Sequence, residues 1–120
     1  MKFGSFIKEG RLKKKMGLRT FAEMIGEDPG NWCRIEYGSF SPPTDIKILN
    51  KICDVLEIRD DEKIKLFDLV AKESKAKIPP DIKKQIEEND IVPILFRTID
   101  KKKLSKEQLK NLIKRIRDEY

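Results

Sequence analysis

The chain contains no histidine and only two cysteines, Cys33 and Cys53. A Cys/His zinc centre therefore lacks its ligands, and two thiols make no disulfide framework. Both cysteines are expected as small buried apolar residues on helices, and no cofactor is expected. Aromatic residues make up 8% of the chain, with a single Trp. No apolar run approaches the roughly 18–20 residues of a membrane span. The opening MKFGSFIKEG carries no apolar h-region, so no secretory signal is expected there, and a cytoplasmic protein without membrane association is the reading. There is no glycine-rich phosphate loop. Neighbouring acids such as Asp60-Asp61 and Glu87-Glu88 read as caps and solvated turns, so an enzyme is not expected.

What is present is charge, at 40% of residues against 38% hydrophobic. In a 120-residue chain that leaves a core, but a lean one. The net charge of +6 is unevenly spread. Residues 1–20 carry seven Lys/Arg against one Glu, and residues 101–120 carry eight against three acids. Residues 21–60 are net acidic, with four basic and eight acidic side chains. A basic end can follow a phosphate backbone, and it can equally be a solvated helix face.

The apolar spacing is helical nearly throughout. Phe3, Ile7 and Arg11 share one face of a first helix that contains Gly10. Leu18, Phe21, Ala22 and Ile25 share one face of a second, which Gly26 stops. Asp28 is a candidate N-cap and Pro29 suits the first turn of a third helix ending at Gly38, with Trp32 and Ile35 on its core side. After the loop Ser39-Phe40-Ser41-Pro42-Pro43, Thr44 or Asp45 caps a broad apolar helix over 45–56. Asp60 or Asp61 opens a fifth, with Ile64, Phe67 and Val70/Ala71 inward. Ile78-Pro79-Pro80 marks a boundary between residues 1–77 and 78–120, because a Pro pair cannot continue a helix. Beyond it lie helical patterns over 81–88, 91–99 and 105–120. The last is headed by a possible Ser105/Gln108 capping box.

The stretch FGSFIKEGRLKKKMGLRTFAEMIG followed by EDPGNWCRIEYGSFSPP resembles the Cro/Xre-type, lambda-repressor-like helix-turn-helix family over somewhat more than half the chain. The resemblance implies an all-α fold, with a five-helix DNA-binding domain followed by a short helical C-terminal extension. It implies that helix 2 (about 18–25) crosses the DNA backbone and helix 3 (about 29–37) enters the major groove. Base contacts would fall to Asn31 and Arg34, with Pro29 and Gly30 facing the groove. Asn31 could instead serve only the first turn of helix 3, and Arg34 could instead pair with a neighbouring acid. Backbone contacts would come from Gly17, Arg19, Thr20, Ser39 and Ser41, and from Lys13, Lys14 and Lys15 beside the start of helix 2. Arg11 and Glu36 would form a structural pair. Gly10 and Leu18 depart from the family pattern, and Glu27, Asp28 and Glu36 make the recognition segment net acidic.

Two functions follow. The first is a sequence-specific transcriptional regulator, a repressor binding double-stranded DNA as a homodimer. The second is an antitoxin-type module that holds a protein partner such as a toxin through its C-terminal region. In either case Leu109, Leu112, Ile113, Ile116 and Tyr120 form the candidate interface. Alternatively that stripe buries against Val92, Leu95, Phe96 and Ile99 of its own chain.

Overall fold

The computed structural model describes residues 1–75 and 77–120. Among them the fold is all-α, with eight helices and no strand. They are α1 (Phe3–Lys13), α2 (Leu18–Met24), α3 (Pro29–Tyr37), α4 (Ile46–Leu56), α5 (Asp61–Glu73), α6 (Pro80–Glu88), α7 (Ile91–Lys102) and α8 (Lys106–Glu119). No helix among the described residues is long and apolar enough to cross a membrane. The chain divides into two compact units, Met1–Lys83 and Lys84–Tyr120. The division falls inside α6, whose first residue, Pro80, is buried.

In the Met1–Lys83 unit the core is built from the faces the spacing predicts. Phe3 and Ile7 of α1, Phe21 of α2 and Ile25 just after it, Trp32 of α3, Leu49 and Ile52 of α4, and Leu66 and Val70 of α5 are all essentially inaccessible to water. Trp32 is the hub, with the Phe21 ring at 5.5 Å and the Phe3 ring edge-on at 6.3 Å. The T-shaped and tilted geometries suit the ring quadrupoles. Asp45, rather than Thr44, caps α4 through its carboxylate and the Lys47 N–H at 2.9 Å. Ile64 departs from expectation and is exposed. It lies about 160° round α5 from Leu66, at 100° per residue, while Leu66, Phe67, Leu69 and Val70 hold the core side.

α1 and α3 cross unusually closely. A Cβ on Gly4 would stand 2.2 Å from the Glu36 carbonyl oxygen, so only glycine fits at the crossing. The turn into α5 is strained instead. Asp60 has φ 53° and ψ −125°, a region open mainly to glycine, and its side chain makes no cap. Asp60→Gly keeps the carbonyl that accepts from Lys63 and Ile64. It is expected to raise stability by about 1 kcal/mol, the relief of strain less glycine's unfolded-state entropy. A thermal melt of the variant beside the wild type checks this, and a lower melting temperature would contradict it.

In the Lys84–Tyr120 unit α8 begins with a complete capping box. The Ser105 hydroxyl accepts the Gln108 N–H at 3.2 Å and the Gln108 side chain accepts the Ser105 N–H at 2.8 Å. No residue of α7 or α8 is fully buried. Val92, Ile99, Leu109 and Leu112 are half-buried, whereas Leu95, Phe96, Ile113, Ile116 and Tyr120 are exposed.

Candidate nucleic-acid interface

The link between α2 and α3 is set by local chemistry. The N–H of Glu27 bonds back to the Ala22 carbonyl and that of Gly26 to the Glu23 carbonyl, closing the end of α2. Gly26, at φ 76°, supplies the left-handed residue this closure needs. Asp28 then takes an extended conformation and its carboxylate accepts the Asn31 N–H at 2.9 Å, with Pro29 at the first helical position. Such a cap is worth about 1 kcal/mol. A Cβ on Gly30 would press to 3.1 Å from that capping oxygen.

The inner side of α3 is fixed by a buried charge cluster. Arg11 donates to Glu36 twice, at 2.9 Å and 3.1 Å, and to the Met16 carbonyl at 3.0 Å. The Trp32 indole N–H donates to the same Glu36 carboxylate at 2.9 Å. The two charged side chains are only 8% and 5% exposed. Glu36 is thereby neutralised inside the fold and Asp28 is taken up by its cap, so two of the three acids of this segment have local partners. The expected pairing of Arg11 with Glu36 is present.

The outer side of α3 is what remains for a ligand. At 100° per residue, Gly30, Asn31, Cys33, Arg34 and Tyr37 fall within an arc of about 160°, opposite Trp32, Ile35 and Glu36. All five are exposed. Arg34 donates to the Asn31 side-chain carbonyl at 3.3 Å, and its guanidinium lies 5.4 Å from the centre of the Phe40 ring. The rival reading of Arg34, an ion pair with an acid, is replaced by these two partners. Pro29 is half-buried at the edge of the arc.

Gly17 caps the start of α2 without a side-chain bond, and Arg19 and Thr20 stand exposed on that helix. Ser39 and Ser41 are exposed in the loop after Gly38, and Lys15 is exposed in the turn between α1 and α2. Lys13 and Lys14 do not join this surface. Lys13 sits about 200° round α1 from Arg11, the residue that faces α3. Both lysines line a groove with Glu9, Glu57, Glu62 and Lys65. Lys14 is ion-paired with Glu57, and its hydrogen bond holds the Glu57 carboxyl below the usual carboxylate range.

Three residues of the surface escaped the sequence reading. Cys33 and Tyr37 sit inside the exposed arc, and Phe40 supports Arg34 from the following loop. The i, i+4 step from Cys33 to Tyr37, opposite Trp32, was the available signal. Cys33 thus departs from the expectation of two buried thiols, while Cys53 is buried and burial pushes its thiol up. A maleimide is expected to modify the native protein at Cys33 alone, with Cys53 reacting only after denaturation. Peptide mass spectrometry reads this, and equal rates at both thiols would contradict the packing around Cys53.

No protein-family model matches the chain, and no curated protein or solved structure matches it.

Proposed function

We propose that the Met1–Lys83 unit is a lambda-repressor-like helix-turn-helix domain and that the protein is a sequence-specific DNA-binding regulator, a repressor acting as a homodimer. The observation that carries this reading is the outer face of α3. It offers an amide and a guanidinium side by side, on a helix whose inner face is held by Trp32 and the Arg11–Glu36 pair. Asn31 suits adenine and Arg34 suits guanine, each through paired hydrogen bonds in the major groove. Gly17, Arg19, Thr20, Ser39 and Ser41 supply phosphate contacts around it. A dimer would place two such faces one helical turn apart, about 34 Å. The test is a mobility-shift titration on duplex from the protein's own upstream region over a salt series. Binding is expected to weaken steeply as salt rises, and duplex is expected to slow maleimide attack on Cys33. Salt-independent retention, or a Cys33 rate unaffected by bound duplex, would sink the reading.

A second reading, an antitoxin-type module binding a protein partner, draws on the exposed apolar residues of α7 and α8, including Ile91, Ile94, Ile113 and Ile116. Light scattering separates the two. A wild-type dimer that Ile113→Glu/Ile116→Glu turns into a monomer favours the repressor. A monomeric wild type favours the partner-binding module.

A further inference from the structure

Besides an open groove along α5 where Asp61 and Asp68 balance Lys65 and Lys72, further grooves of the Met1–Lys83 unit carry charge on their walls, and their balances differ. The groove between α1 and the α4–α5 turn sets Lys13, Lys14 and Lys65 against Glu9, Glu57 and Glu62, so its side-chain charges cancel. A second groove, at the start of α5, sets Arg59 and Lys63 against Asp54 and Asp60 and is balanced too. The third, of about 450 Å³, is not. Its lining includes Lys2, Lys72 and Lys77 against Glu73, with the Ser39 and Ser41 hydroxyls on its rim.

Glu73 is already occupied, since its carboxylate accepts the Phe3 N–H at 2.6 Å. The Lys77 ammonium donates to the Lys72 carbonyl at 2.6 Å, which draws it back over the end of α5 and leaves two of its N–H groups to donate elsewhere. The cavity is continuous with the face described above. Phe40 lines it, and the same ring lies beneath the Arg34 guanidinium. An exposed strip therefore runs from Asn31 through Arg34 and Phe40 to a cavity lined by Lys2, Lys72 and Lys77 and by Ser39 and Ser41, which come from the start of the chain, the end of α5 and the α3–α4 loop.

We propose that Lys2, Lys72 and Lys77, with the Ser39 and Ser41 hydroxyls, bind a backbone phosphate of the DNA strand flanking the bases that α3 faces. The inference rests on the DNA-binding reading of α3. Ammonium groups beside hydroxyl donors suit a phosphodiester oxygen, and a net positive wall gains by releasing the counterions of the duplex. This site adds a phosphate clamp on the side of α3 where the loop runs toward α4, without adding a base contact.

The test compares full-length wild type with Lys2→Gln, Lys72→Gln and Lys63→Gln by fluorescence anisotropy on a duplex, over a salt series. Lys63 is the control. It removes the same charge from the same helix, about half a turn round α5 from Lys72. Lys2→Gln and Lys72→Gln are each expected to lower the slope of log affinity against log salt by about 0.9 and the affinity roughly five- to tenfold at ~0.1 M salt. Base preference stays unchanged and Lys63→Gln behaves as wild type. A neutral methylphosphonate at the contacted phosphate is expected to weaken wild type equally and Lys72→Gln hardly at all. Wild-type slopes in Lys2→Gln and Lys72→Gln, or an equal drop in Lys63→Gln, would overturn the clamp while leaving the α3 reading standing. A wild type that retains no duplex overturns both.

Discussion

Replacing Glu36 by Ala is expected to cost the Met1–Lys83 unit about 3–5 kcal/mol. The carboxylate takes two hydrogen bonds from Arg11 and one from the Trp32 indole, and both charged side chains are almost wholly buried. Removing it strands a buried guanidinium and leaves the indole N–H without an acceptor. A surface ion pair would lose only about 0–1 kcal/mol, so the magnitude separates the two descriptions. Set against the roughly 5–15 kcal/mol that a domain of this kind possesses, the loss removes a large share of the unit's stability. Urea titration followed by Trp32 emission reads it, because that residue is the chain's single tryptophan and is fully buried in the native state. Arg11→Met in the Glu36→Leu background is expected to recover much of the loss, since two apolar side chains leave no orphaned charge. A cost below about 1 kcal/mol for Glu36→Ala would show the cluster to be solvated.

Gly4→Ala should destabilise the same unit by about 3 kcal/mol or more, at or beyond the upper end of ordinary overpacking. Three backbone atoms of Glu36 lie between 2.2 and 2.9 Å from the position of the added Cβ. Backbone cannot swing aside as a side chain can, so α1 must lift from α3 and loosen Phe3 and Ile7 from the Trp32 cluster. Helix propensity alone predicts the opposite sign, a gain of up to about 0.5–1 kcal/mol, the interior-helix figure being an upper bound for Gly4 at the second position of α1. Gly10→Ala in the same helix is the matched comparison. Its Cβ would meet only the Leu56 Cδ1 methyl, at 3.3 Å. That methyl can turn, so Gly10→Ala is expected to fall between neutral and a gain of about 1 kcal/mol. Paired denaturant titrations decide the matter. Equal effects of the two substitutions would remove the close crossing from the account.

The helices were legible because their signals are local. Asp28 with Pro29, the Ser105/Gln108 box and the left-handed Gly26 and Gly38 each act within a few residues, and each occurs where the spacing placed it. The Arg11–Glu36 pair was anticipated through the family resemblance, not through spacing. The sequence withheld contacts between distant segments. Gly4 and Gly10 look alike in a string of letters, yet only Gly4 faces the backbone of α3. Ile64 fits an apolar period but sits on the wrong side of α5, since Leu66 and Leu69 carry the buried side with Phe67 and Val70. Lys13 and Lys14 read as a basic run before α2, but the turn of α1 directs them to a groove whose side-chain charges cancel. Cys33 and Tyr37 were hidden because their types suggest core, and only the direction of Trp32 shows that they face out. The positive cavity beside Phe40 joins residues 2, 39, 41, 72 and 77, a grouping that no periodicity can reveal.

The central claim is that the outer face of α3 reads bases. Selecting bound duplexes from a random pool with wild type, Asn31→Ala and Arg34→Ala in parallel tests it most directly. Wild type is expected to enrich one motif. Each substitution is expected to relax that motif at its own position by about 1–3 kcal/mol of discrimination and leave the other positions intact. No enrichment by wild type, or the same motif from Arg34→Ala at undiminished strength, would contradict the account.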